Sequence, residues 1–195
     1  MTIWVALLRG INVGGNNIIN MRALAETFTR LGFESVKTYI ASGNVLFHSS
    51  ARDARALEKK LEKAIQRAHG CAIKVVVRSR EELAALVDDL PRGWKKPDAK
   101  KRYYVIFLRH DIDSENVLER VDAKAGIEEI DYRPGTLLWS ATIADLGRSS
   151  VSKLMASPLY KDITIRNLNT TLKLRALADE MLPSGSSPRR AFRGE

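Results

Sequence analysis

The stretch Val36-Lys-Thr-Tyr-Ile-Ala-Ser42-Gly43-Asn44-Val-Leu-Phe-His48 reads as a hairpin set between two helical segments. Residues 36–41 and 44–48 are rich in β-formers, and Ser42-Gly43 supplies the turn. On the N-terminal side Met21, Leu24, Ala25, Phe28 and Leu31 recur at helical spacing, with Asn20 as N-cap and Gly32 as stop. On the C-terminal side Leu57, Leu61, Ala64, Ile65 and Ala68 mark a second amphipathic helix that ends at Gly70. Two apolar runs, residues 2–8 and 72–78, read as flanking strands. Ser79 with Glu82 three residues later is a capping box that opens one further short helix. The order β-α-β-β-α-β is the ferredoxin-like split βαβ motif.

The second half repeats this pattern more loosely. Residues 102–108 read as a strand, and Asp113 or Ser114 as the cap of a helix bearing Val117, Leu118 and Val121. Residues 128–132 and 136–141 flank Pro134-Gly135 as a second hairpin. A short helix over 151–156, a strand over 163–166 and a last helix carrying Leu174, Leu177, Ala178 and Met181 follow. Val5-Ala-Leu-Leu-Arg9-Gly10 resembles Val105-Ile-Phe-Leu-Arg109-His110, and Ser42-Gly43-Asn44 falls where Pro134-Gly135-Thr136 does. The expected fold is α+β, two tandem ferredoxin-like halves with extra helices. Their bounds are 1–90 and 103–182, joined by a basic linker over 91–102 and followed by a disordered tail over 183–195. Strands 2–8 and 102–108 are apolar on both faces, so both faces should be covered. That argues against an open sheet stacking RNA bases.

The composition, 45% hydrophobic and 28% charged over 195 residues, is that of an ordinary globular chain able to bury a core without metal or disulfide. The net charge of +9 sits in the first half and the linker, which points to an anionic ligand or a nucleic acid, or to a solvated surface. The single cysteine, Cys71, excludes an internal disulfide and a cysteine metal cluster. With no signal peptide pattern and no long uncharged apolar run, the expectation is a cytoplasmic protein with no membrane partner. The three histidines show no metal-ligand spacing, and no cofactor motif is present.

In the split βαβ topology the end of strand 1, the 42–44 turn and the start of helix 1 meet at one sheet edge. The loop 9–17, Arg9-Gly10-Ile11-Asn12-Val13-Gly14-Gly15-Asn16-Asn17, would then converge with Ser42-Gly43-Asn44. Arg9 is a bidentate donor for phosphate or carboxylate, Gly10, Gly14 and Gly15 can shape a nest of N–H groups, and Asn12, Ser42 and Asn44 can orient a ligand. A tight turn with capping asparagines gives the same residues a purely structural reading. The loop is neither a P-loop, since Asn16-Asn17 stands where Lys-Ser/Thr would, nor a dinucleotide-binding motif.

Ala6-Leu-Leu-Arg-Gly-Ile-Asn-Val-Gly-Gly15 and Thr38-Tyr-Ile-Ala-Ser-Gly-Asn-Val45 resemble the bacterial family known as domain of unknown function 1697. Arg166-Asn167-Leu168-Asn169-Thr170-Thr171-Leu172-Lys173-Leu174 resembles that family's C-terminal signature, in which an aromatic more often stands at position 168. The resemblance implies two ferredoxin-like halves and supplies no activity.

Arg166, Asn167, Thr170 and Lys173 form a second candidate anion site beside a helix start, capped by Asn169 or Thr170; ordinary capping with a surface arginine explains them equally. Three functional readings follow. The first is a binding module for a phosphate- or carboxylate-bearing small molecule at Arg9, Gly10, Asn12, Gly14, Gly15, Ser42, Gly43 and Asn44. The second is nucleic-acid binding through the basic linker, with Trp94 for stacking. The third is an enzyme on an anionic small molecule, with Tyr39 or His69 carrying a proton.

Overall fold

Eight strands form two four-stranded antiparallel sheets in the computed structural model, which describes residues 1–183. In the first sheet β1 (Thr2–Leu8) lies between β3 (Asn44–Ser49) and β4 (Val75–Ser79), and β2 (Glu34–Tyr39) is the edge beyond β3. Helices α1 (Met21–Arg30) and α2 (Ala54–His69) cross between them. Helix α3 (Arg80–Asp88) and the single turn α4 (Arg92–Lys95) then lead to the second sheet. There β5 (Lys101–Leu108) lies between β7 (Thr136–Thr142) and β8 (Ile163–Asn167), with β6 (Glu128–Arg133) at the edge. Between β7 and β8 runs α5 (Val151–Ala156), and α6 (Leu168–Asp179) follows β8 directly.

The start signals act as their chemistry requires. The Asn20 side chain accepts from the Arg22 and Ala23 N–H groups at the head of α1, and Asp53 accepts from Ala56 N–H at the head of α2. At α3 Ser79 and Glu82 exchange both bonds of the capping box. Alternation in the strands then sorts the side chains. Ile3, Val5 and Leu7 of β1 join Val105 and Phe107 of β5 in one core shared with Leu83 and Leu86 of α3 and Leu174 and Ala178 of α6. Trp4, Ala6 and Leu8 face α1 and α2, while Ile106 and Leu108 face the outer layer of the second half. Both central strands are covered on both faces. Each fully buried Val, Leu or Phe contributes about 1.5–3 kcal/mol.

Three expectations change. Residues 115–120 form a 3-10 segment, not an α-helix: the run is six residues long and Ser114 makes no capping bond. Asp113, the other expected cap, instead accepts from Gly135 N–H (2.8 Å) and the Tyr132 hydroxyl (3.0 Å), tying down the second hairpin. The cap of α6 is Asn167, whose side chain accepts from Thr170 N–H at 2.7 Å, and neither Asn169 nor Thr170. Along 91–102, Trp94 is buried edge-on against Tyr103 with ring centroids 5.1 Å apart, which removes it from base stacking. The expected tail, from residue 184 onward, lies outside the described residues. Among the described residues no helix is long and apolar enough to cross a membrane, and no group of His, Cys, Asp and Glu could hold a metal ion.

Candidate functional site

The two sheets end their central strands in the same way. Leu8 N–H donates to Gly43 O (2.7 Å) and Arg9 N–H to Lys74 O (2.9 Å). In the second sheet Leu108 N–H donates to Gly135 O (2.9 Å) and Arg109 N–H to Asp162 O (3.0 Å). The last strand of each sheet carries an arginine at the same register, Arg78 opposite Val5 and Arg166 opposite Val105. Each arginine reaches into the other sheet. Arg166 Nη2 donates to Leu8 O (2.8 Å), with Ser42 O and Gly43 O also in reach, and Arg78 Nη2 donates to Leu108 O (2.5 Å) and Gly135 O (2.7 Å). Glycine at the turns has a steric reason. A Cβ on Gly135 would meet the Arg78 guanidinium at 2.7 Å, and one on Gly43 would meet Leu8 and Ile11 at 2.8 Å.

At the end of β1 this arrangement opens into a cavity of about 250 Å³. It is lined by Arg9, Gly10, Ile11, Val13, Ile40, Ser42, Tyr160, Thr164, Ile165, Arg166, Asn167 and Thr170, with no acidic residue among them. The Arg9 guanidinium lies over the Tyr160 ring, 4.3 Å from its centroid. Its Nε is buried without a hydrogen-bond partner, and no side-chain hydrogen bond or ion pair joins it to the described residues. The Arg166 guanidinium is buried on neutral acceptors: Asn44 Oδ1 (2.7 Å), Thr164 Oγ1 (2.8 Å) and the carbonyls of Ile165, Leu8, Ser42 and Gly43. Burial without a carboxylate pulls its pKa down to about 10.

The end of β5 is closed by acids. Arg109 is paired with Glu62 of α2 and lies 3.8 Å from Asp111 and 3.9 Å from Asp162. Burial lowers its pKa, but the charge and hydrogen bond of Glu62 together with the charges of Glu58 and Asp111 outweigh that and raise it. His110 Nδ1 lies 2.9 Å from Oε1 of the fully buried Glu58, and Nε2 lies 3.7 Å from Glu82. Those two carboxylates raise the His110 pKa to about 9. Burial raises that of Glu82, but the bonds from His110 and Ser79 and the charge of Arg78 outweigh it, leaving about 2. Arg78 Nη1 stands 3.4 Å from the His110 ring, and desolvation lowers the Arg78 pKa against the pull of Glu82 and Glu58.

The fold brings the two candidate sites of the sequence together: Arg9, Gly10 and Ser42 share the cavity with Arg166, Asn167 and Thr170. Several of their neighbours serve the backbone instead. Asn12 brackets the loop, donating to Ile19 O (2.9 Å) and Ala41 O (2.8 Å) and accepting from Ile19 N–H (2.8 Å). Asn44 is buried, donating to Tyr39 O and the Ser42 hydroxyl while accepting from Arg166. Gly14 and Gly15, both at positive φ, turn a small hairpin closed by Asn16 N–H to Val13 O (3.1 Å) and stand outside the cavity lining. Lys173 is exposed and outside it too. Tyr39 and His69 do not line it, and His69 Nε2 lies 3.0 Å from the Thr27 hydroxyl. Tyr160 and the cluster of Arg78, Glu58 and His110 are additions from the structure. The signal for Arg78 was a charge ending an otherwise apolar strand, Val75-Val-Val-Arg78, matched by Ile163-Thr-Ile-Arg166.

Among solved structures, a conserved bacterial protein from Streptococcus pneumoniae is similar over 91% of this chain and 98% of its own, with 29% identity and a TM-score of 0.80. A protein from Galdieria sulphuraria described as unknown matches over 85% of this chain and 97% of its own, at 14% identity and a TM-score of 0.24. No curated protein matches the chain. The family model described as "Protein of unknown function (DUF1697)" covers residues 1–138, which takes in the loop 9–17 and the 42–44 turn and stops before Arg166. The chain belongs to that family.

Proposed function

We propose that the protein binds a small anionic molecule in the cavity at the end of β1, with Arg9 as its charge partner. One observation carries this reading: a guanidinium without a hydrogen-bond partner faces an acid-free cavity whose wall holds a second arginine. The Arg9 Nε–H is shielded from solvent without an acceptor, and a bound anion would supply one. Arg166 adds charge but few free donors, since its N–H groups are engaged, and Gly10, Ser42 and Thr170 complete the wall. A thermal-shift screen of wild type and Arg9→Ala against nucleotides, sugar phosphates, carboxylates and short oligonucleotides tests it. A small anion at 100 times its Kd should stabilise wild type by about 2.7 kcal/mol, several degrees at this size, and leave Arg9→Ala unmoved. An effect of oligonucleotides alone, equal in both proteins, would transfer the function to the basic stretch 91–102.

The same reading treats the chain as a duplication of a ferredoxin-like βαββαβ unit, with halves 1–90 and 103–182. In its support, both sheets have one strand order, both central strands end in the same bonds, and Arg78 and Arg166 share a register. The stretches that look alike in sequence, 5–10 with 105–110 and 42–44 with 134–136, fall on these matched positions. The cytoplasm, where small carboxylates and phosphates abound, is the compartment this function fits.

A further inference from the structure

The closed junction at the end of β5 supplies an internal reference for the open one at the end of β1. Arg109 occupies there the register position that Arg9 occupies here, each following a Leu whose N–H donates to a turn glycine. The chain neutralises Arg109 with a carboxylate, Glu62, and offers Arg9 only the face of Tyr160. From this, and resting on the anion-binding reading above, we infer that the ligand is a monocarboxylate carrying an apolar group, its carboxylate on Arg9 and its apolar part against Val13 and Ile40.

The donor set favours a carboxylate over a phosphate. Arg9 is the one cation of the lining whose guanidinium has no hydrogen-bonded partner among the described residues, and two parallel N–H groups match two carboxylate oxygens. A phosphate would bring a third oxygen and a second charge to a cavity whose other guanidinium is already hydrogen-bonded to neutral acceptors. The apolar part follows from the rim. Val13 is 61% and Ile40 49% exposed, and both line the cavity beside the buried Ile11. Size agrees: a cavity of about 150 Å³ accepts benzene, so 250 Å³ admits a ring with its carboxylate.

Titration calorimetry with acetate, benzoate, hexanoate, benzamide and phenyl phosphate on wild type, Arg9→Gln and the double variant Val13→Ser/Ile40→Ser tests the inference. Benzoate or hexanoate should bind wild type at least tenfold more tightly than acetate, benzamide or phenyl phosphate. Arg9→Gln should abolish that binding, and the double variant should weaken benzoate at least fivefold while leaving acetate unchanged. Phenyl phosphate binding as tightly as benzoate, with dependence on Arg9, overturns the carboxylate while the anion site stands. Acetate matching benzoate overturns the apolar part alone. Absence of any Arg9-dependent binding by acetate, benzoate, hexanoate and phenyl phosphate overturns this inference, and an Arg9-dependent hit in the wider screen above would still uphold the anion site.

Discussion

Replacing His110 by glutamine removes the imidazole of the closed junction and keeps a donor for Glu58. In the folded protein His110 holds its proton up to about pH 9, against an ordinary value of 6.5, because Glu58 and Glu82 bond to it. The folded state therefore binds more protons than the unfolded one between those values. Stability from this group is complete below pH 6.5, declines as pH rises, and is gone above about 9. A move of that size corresponds to at most about 3 kcal/mol, and the partial solvent contact of the ring lowers it to about 2. At 2–4 °C per kcal/mol for about 200 residues, wild type should lose about 4–8 °C of Tm between pH 6 and pH 9.5 from this source. Scanning calorimetry of both proteins across that range isolates it, since every other titrating group is common to the two. The gap between them should narrow steadily toward alkaline pH. Parallel curves would refute the reasoning, showing that the Glu58–His110 contact does not couple protonation to folding.

Acid should act in the opposite direction on Glu82, whose carboxyl is held near pH 2: its contribution is present above pH 4.5 and lost as pH falls toward 2, and Glu82→Gln should flatten that limb in urea unfolding. Arg9→Gln should change stability by less than about 1 kcal/mol, the scale of an exposed cation–π contact, while removing ligand-induced stabilisation. Arg166→Lys keeps the charge and loses the planar fork, and with at most three donors it should cost about 2 kcal/mol in urea unfolding. Gly43→Ala adds a clash with Leu8 and Ile11 to a positive φ and should cost well over 2 kcal/mol, whereas Gly14→Ala, in open space, should cost about 1. Equal losses at the two glycines would refute the steric reading of the 42–44 turn.

The hairpin at 44 and the caps Asn20 and Ser79 were legible because each signal is local, a residue type acting within a turn of itself. The coverage of both sheet faces was legible from strands 2–8 and 102–108, where every residue of the central run is apolar. The second half was harder. Its connections include 3-10 segments of five or six residues, too short to show a helical period, so 115–120 reads as an α-helix and is not one. Asn12 and Asn44 looked like ligand contacts because loop asparagines that bind and those that brace the backbone have the same sequence signature. Only the distances to Ile19, Ala41 and Arg166 distinguish them. Tyr160 and Arg166 lie more than 150 residues from Arg9, and no periodicity reports a meeting at that separation.

A pair of arginines that reach across to each other's sheet is the contact pattern of two identical subunits about a two-fold axis, where whatever one copy does its mate returns. On the duplication proposed above, such a pair would descend from a symmetric dimer with two identical junctions, in which one change alters both. Joining two such subunits into one chain would release the copies from that constraint. In the present chain one junction carries Glu58, Glu62 and His110 as a clasp, while the other leaves Arg9 without a carboxylate. A single chain with two like junctions can thus hold one cavity and one clasp.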